Sequence, residues 1–185
     1  KIIREKIKIS NVTYQGLIHG DIGYIKLDDF TPGAAKEVEE ALIQLKQKGA
    51  KKIILDLRDN PGGLLYEAVN IVNIFIPKGL EVVATKGKVQ DWNKSYTTLN
   101  NPIDTEIPLT VLTSAGSASA SEIVAGSLQD YDRAILFGQK TFGKGLVQTT
   151  RQLSYNTQLK ITTAKYYIPS GRCIQAIDYA HRKTD

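Results

Sequence analysis

A single cysteine, Cys173, stands in a chain of 185 residues, which excludes an internal disulfide and any Cys-x-x-Cys metal or redox site. Methionine is absent, and there are two histidines, His19 and His181. One sits beside a Gly-Asp turn and the other in a polar tail, so neither is expected to serve a Ser-His-Asp triad. Long apolar runs are also missing. The longest, such as I-V-N-I-F-I at Ile71–Ile76, are far too short to span a bilayer, and nothing reads as a signal peptide. The charge surplus is small, 24 basic against 19 acidic residues for a net +5. Its clusters at Lys1–Lys8 and Lys46–Lys52 carry no interleaved aromatics, so nucleic acid is not an expected partner.

What is present is a globular composition, 42% hydrophobic, in a length that suits one domain. The opening K-I-I-R-E-K-I-K-I reads as a strand in mid-course, Ile2–Ile9, so a fragment of a longer protein is expected. A second strand is predicted at Gly23–Leu27, after a His-Gly-Asp turn. A helix should follow Thr31-Pro32-Gly33 and run to Lys48, with Val38, Ala41, Leu42 and Leu45 on one face and Gly49 as its stop. Lys51–Leu57 reads as a strand ending in the sharp turn R-D-N-P-G-G. Leu64–Phe75 fits a helix closed by Pro77 and Gly79, and Ser121–Tyr131 fits another. Val82–Thr85, Leu109–Thr113 and Ala134–Phe137 read as strands, and L-V-Q-T-T with L-K-I-T-T-A-K-Y-Y as a late hairpin. Strands alternating with helices make an α/β domain, with antiparallel structure towards the ends.

Four serines, Ser114, Ser117, Ser119 and Ser121, crowd the corner between one of these strands and a helix. Ser119-Ala-Ser-Glu122 spells a capping box, in which a serine and a glutamate satisfy orphan donors at a helix start. The same corner would also present a nucleophile clear of the sheet, with the next N–H at the positive end of the helix dipole. A serine nucleophile needs a base. With histidine set aside the candidate is lysine, which works where burial leaves the amine neutral.

Lys144, in T-F-G-K-G-L-V-Q, stands out. Its flanking glycines permit close approach, and apolar Phe142, Leu146 and Val147 are placed to desolvate it. If Lys144–Gln148 is extended, residues 144 and 148 share a face, and the Gln148 amide can hold the amine without adding charge. The turn Asn60–Gly63 exposes backbone N–H groups that, with the N–H of Ala120, can form a two-donor oxyanion hole. On local pattern alone each piece has a plainer reading: a capped helix, a surface lysine, a simple turn.

Taken together the pieces resemble the carboxyl-terminal processing peptidases, or tail-specific proteases. The matching stretches are Arg4–Ile7, Ile54–Leu65, G-S-A-S-A-S-E-I-V-A-G from Gly116, Leu128–Ala134, Thr141–Gln148 and Thr162–Gln175. They fall in the family's order across nearly the whole chain. The resemblance implies a ClpP/crotonase-like core, a mixed sheet with helices packed in ββα-type units and additional antiparallel strands. It implies Ser119 as nucleophile, Lys144 as base and Gln148 as the residue orienting it, with oxyanion donors from Gly63 and Ala120. Asp130 matches a family position without an assigned role; pairing with Arg133 or a nearby cation is the simple expectation. Cys173, where serine is common, is expected to be a small packing residue.

The implied function is a serine endopeptidase cleaving unfolded or tagged proteins with flexible, apolar C-terminal tails. No cofactor or metal is implied. An extracytoplasmic place is implied, in the bacterial periplasm or cell envelope, with membrane association of the longer protein left open. Residues 1–185 would be its catalytic core, without the family's PDZ domain and C-terminal extension. Two alternatives remain. One is an idle protein-binding or assembly module of the same fold. The other is a P-loop at Gly138–Gly145, which lacks the hydroxyl residue for magnesium and is followed by an extended rather than helical pattern. Penicillin-type chemistry would need Ser-x-x-Lys, which does not occur.

Overall fold

A computed structural model describes residues 9–176. The strand expected at Ile2–Ile9, the Arg4–Ile7 match and His181 lie outside the described residues, apart from Ile9, which is in no strand.

Among the described residues there are two sheets and three α-helices. The first sheet has the order β1-β2-β3-β6-β7. In it β1 (Val12–Ile18) pairs antiparallel with β2 (Ile22–Leu27). From β2 onward, β3 (Lys52–Asp56), β6 (Leu109–Thr113) and β7 (Ile135–Gly138) all run parallel. The second sheet is antiparallel, in the order β5-β4-β9-β8. It comprises β4 (Glu81–Lys86), β5 (Lys94–Thr97), β8 (Leu146–Gln152) and β9 (Gln158–Tyr167). The expected mixed α/β class with added antiparallel strands is the one observed. The strands Val12–Ile18 and Lys94–Thr97 are additions to the sequence reading.

Helix α1 (Ala34–Gln47) buries Val38, Ala41, Leu42 and Leu45, as its periodicity predicts, and stops at Gly49, whose φ of 96° suits only glycine well. Its first N–H groups are satisfied from a distance. The buried Glu67 carboxylate, on α2 (Leu65–Phe75), accepts from Gly33 at 2.7 Å and Ala35 at 2.8 Å. This replaces the side-chain cap that Gly33 cannot supply. Helix α3 (Ala120–Asp130) is buried from Ala120 to Leu128, with no polar face; such a helix belongs at the centre of the core. Ile53 and Leu55 of β3 and Val111 of β6 are fully or almost fully buried in the same core, each worth about 1.5–3 kcal/mol.

The parallel strands β3 and β6 are neighbours, so the segments leaving their carboxyl ends meet. Those segments are the R-D-N-P-G-G turn and the serine-rich corner, and the crevice beyond such strand ends is where open α/β sheets hold ligands.

Candidate active site

Three of the four serines are structural fasteners between these two segments. Ser117 Oγ donates to the Leu57 carbonyl at 2.7 Å, and Ser121 Oγ to the Asn60 carbonyl at 2.9 Å; both serines are fully buried. Ser114 Oγ donates to Asp59 at 2.8 Å and accepts the Asp59 N–H at 2.9 Å. Asn60, itself fully buried, ties the turn to β2 by donating to the Leu27 carbonyl at 2.8 Å. At Ser117 and Ser121 a small hydroxyl residue fits because each must reach a carbonyl in a space closed by packing.

Ser119 is different. It caps α3 with φ 56° and ψ −111°, a conformation costing a non-glycine residue about 1–3 kcal/mol and found mostly at functional sites. Gly62 lies directly under it: a Cβ there would fall 2.5 Å from the Ala118 oxygen, 2.8 Å from the Ala120 nitrogen and 2.9 Å from Ser119 Cβ. The Gly62–Gly63 peptide and the N-terminus of α3 therefore touch. The N–H groups of Gly63 and Ala120 make no hydrogen bond among the described residues, so both oxyanion candidates are open donors at one place.

Glu122 was read from sequence only as a capping residue, and the structure gives it a second connection. Its buried carboxylate accepts the Ser119 N–H at 2.9 Å, the Gly143 N–H at 2.6 Å and the Lys144 N–H at 2.8 Å. One side chain thus joins the backbones of both dyad candidates. The Phe142 N–H adds a bond to the Ser117 carbonyl at 3.0 Å. No local pattern announces this link, because the partners lie 21 and 22 residues apart.

The lysine loop is backed on its far side by residues 174–176. Gly145 donates to Gln175 Oε1 at 2.8 Å, and Ala176 donates to the Gly143 carbonyl at 3.1 Å. A Cβ on Gly143 would sit 2.2 Å from Ala176 Cβ, and one on Gly145 2.3 Å from the Gln175 nitrogen. The glycines flanking Lys144 are needed because residues 174–176 leave no room for a Cβ at either position.

Two sequence expectations about the lysine need correction. Phe142 is 62% exposed and Lys144 itself is exposed, so Phe142, Leu146 and Val147 do not desolvate the amine within this chain. The segment Lys144–Gln148 is also not one continuous strand. β8 starts at Leu146, and its pairing with β9 shifts register between Val147 and Gln148. The exposed Gln148 side chain makes no hydrogen bond among the described residues. Asp130 pairs not with Arg133 but with Arg172, at 3.4 Å, and accepts the Ser170 N–H at 2.9 Å, fixing the P-S-G-R turn. Arg133 instead donates to the carbonyls of Phe75 and Asp104. His19 is exposed in its turn. The half-buried Cys173 pairs with Tyr167 as an isolated bridge. A strand, not a helix, follows Lys144, so Gly138–Gly145 lacks P-loop geometry. Among the described residues no group of His, Cys, Asp and Glu gathers as metal ligands.

The profile of peptidase family S41 matches residues 21–180. The chain belongs to peptidase family S41. Among relatives of this S41 domain, a carboxy-terminal-processing protease of Bartonella bacilliformis is 44% identical over 181 residues, 96% of this chain and 41% of the relative. A probable CtpA-like serine protease of Staphylococcus aureus is 44% identical over 176 residues, 94% of this chain and 35% of the relative. The S41 chain thus spans well under half of each. Among solved structures, the photosystem II D1 C-terminal processing protease superposes with a TM-score of 0.77 at 34% identity. That match covers 90% of this chain and 44% of the other.

Proposed function

We propose that this S41 domain is the catalytic core of a serine endopeptidase, with Ser119 as nucleophile and Lys144 as base. The observation that carries the reading is the Glu122 carboxylate joining the Ser119 and Lys144 backbones beside the open N–H groups of Gly63 and Ala120. Ser119 Oγ attacks a peptide carbonyl carbon while the neutral Lys144 amine takes its proton. The carbonyl electron pair moves to oxygen, where the Gly63 and Ala120 N–H groups meet it. The tetrahedral species collapses, breaking the C–N bond as Lys144 returns the proton to the leaving amine. Water, deprotonated by the same amine, then hydrolyses the acyl-enzyme and frees Ser119.

Because Lys144 is exposed, the polypeptide lying across it is what excludes water from the amine, and Gln148 orients that amine once covered. The proposed substrates are unfolded or flexible polypeptides with apolar C-terminal tails, a reading supported by the relatives' names as carboxy-terminal-processing proteases. The proposed place is the periplasm or cell envelope. The chemistry as written needs no metal. The exposure of Lys144 is also the one observation favouring an idle binding module.

Hydrolysis of an unfolded polypeptide with an apolar tail separates the two. Wild type, Ser119→Ala and Lys144→Ala are compared after each is shown to be folded. Cleavage by wild type, reduced about a thousandfold or more in both variants, is the expected result. Cleavage that persists in folded Ser119→Ala rules out the nucleophile, and no cleavage by any of the three favours the idle module.

A further inference from the structure

Gly62 and Gly63 share the peptide whose N–H, that of Gly63, is proposed to meet the oxyanion. Glycine has no Cβ to restrict φ and ψ, and Gly63 is exposed, so on local grounds this peptide could turn over and present its carbonyl instead. What fixes it lies on either side. The Gly62 N–H donates to Asn60 Oδ1 at 2.9 Å, and the Leu64 N–H donates to the Phe30 carbonyl at 2.9 Å. The Asn60 N–H is taken by the Leu57 carbonyl at 3.3 Å, and Pro61 has none to give. From Asn60 to Leu64, the Gly63 N–H is therefore the one left without a partner among the described residues.

Asn60 is tied in on every side. Its Nδ2 donates to the Leu27 carbonyl at 2.8 Å, and Phe30 bridges Gly63, so both ends of the turn are anchored to the stretch that leaves β2. The Asn60 carbonyl reaches the opposite flank. It accepts the Ala118 N–H at 3.0 Å and Ser121 Oγ at 2.9 Å, the residues on either side of Ser119 and Ala120. The side chain is fully buried. A buried asparagine that binds one segment is an ordinary fastener. This one binds both segments that carry the open N–H groups.

We propose that Asn60 is a positioning residue of the peptidase. Its side chain holds the Gly62–Gly63 peptide with the Gly63 N–H outward, and its carbonyl holds the corner that presents the Ala120 N–H. It touches no substrate and acts through those two donors. The inference rests on the peptidase reading above, because the oxyanion is what the donors meet. That charge develops only after attack, so a misaimed donor lowers kcat and leaves KM nearly unchanged.

Two substitutions separate aiming from fastening. Asn60→Ala removes both side-chain bonds, whereas the hydroxyl of Asn60→Ser can still accept the Gly62 N–H in a serine turn but is too short for Leu27. The control is Asn73→Ala. Asn73 is a second buried asparagine, near the far end of α2 from Gly63, which pins a turn through Leu99 and Asn100. Cleavage is measured where each variant is folded, and exchange of the Gly62 amide hydrogen is followed in parallel. In Asn60→Ala the Gly62 amide should lose protection, and kcat should fall about a hundredfold with KM within about twofold. Asn60→Ser should keep the protection and recover about tenfold of the kcat, though both variants lose the bond to β2. Asn73→Ala should cleave as wild type does. Equal kcat in Asn60→Ala and Asn60→Ser, or an equal loss in Asn73→Ala, overturns the role and leaves the peptidase standing. Where Asn60→Ala does not fold, Asn60→Ser decides: a hundredfold loss of kcat with Gly62 still protected overturns the role, and kcat within about tenfold of wild type supports it. If wild type does not cleave, the peptidase reading fails and the role falls with it.

Discussion

At Ser119 the backbone holds a conformation that nothing in its own side chain favours, and Gly62 is what leaves room for it. Gly62 has φ 92°, so an alanine there is strained by about 1–2 kcal/mol before any contact is counted. Its Cβ would then overlap the Ala118 carbonyl and the α3 N-terminus, neither of which is a flexible side-chain end. Gly62→Ala should lower stability by about 2 kcal/mol or more in thermal or urea unfolding, and abolish Ser119-dependent cleavage. Ser121→Ala gives the contrasting case. The Asn60 carbonyl it abandons still accepts the Ala118 N–H at 3.0 Å, so no buried acceptor is orphaned. The expected loss in the same unfolding experiment is about 1 kcal/mol. The serines thus divide into one strained residue and three fasteners, the division that the family resemblance implied and that the local run of small residues does not itself carry.

Between elements, two buried glutamates do comparable work at different places, and the pair makes a controlled comparison. Glu122 binds three N–H groups across α3 and the lysine loop, while Glu67 binds two at the start of α1 without touching Ser119 or Lys144. Replacing either carboxylate by an amide turns one acceptor into a donor facing an N–H, at a cost of about 1.5–3 kcal/mol. Glu122→Gln and Glu67→Gln should therefore be similarly destabilised, while kcat falls about tenfold or more only in Glu122→Gln. Equal kcat in the two would show that the link between the dyad segments is structural alone. These links explain what the sequence could and could not convey. Helix α1, β6 and the late hairpin follow from periodicity and local stops, and the observed boundaries lie within a residue or two of expectation. Strand β1 did not read as a strand because Gln15 and Gly16 interrupt its pattern, and β5 because K-S-Y-T is short and polar. The Glu122 link and the exposure of Lys144 depend on which distant segments meet, which no spacing encodes.

For the molecule as a whole, carboxylates tie separate elements together and set its response to acid. Burial alone would raise Asp56, but hydrogen bonds from Arg58 and Tyr24 outweigh it and hold its carboxyl below the usual range. Glu37 is likewise raised by burial yet lowered further by Ser10, Asn11 and Val12, fastening β1 to α1. Asp104 is lowered against its burial by Lys46 and the Ile107 and Glu106 N–H groups. A group with a depressed folded pKa contributes fully above its unfolded value, near 4, and loses that contribution as pH falls through its folded value. Stability should accordingly hold down to about pH 5 and fall steeply below about pH 4, and Glu37→Gln should flatten that acid limb in urea unfolding. The wall of residues 174–176 behind the lysine loop has a consequence for how the protein is made. Ser119 and its fasteners are all translated by residue 122, whereas the seat of Lys144 is completed only by Gln175 and Ala176. On the reading proposed above, a growing chain on the ribosome would present the Ser119 corner for more than fifty residues before residues 175 and 176 back the Lys144 loop, so the proposed pair would assemble late in synthesis.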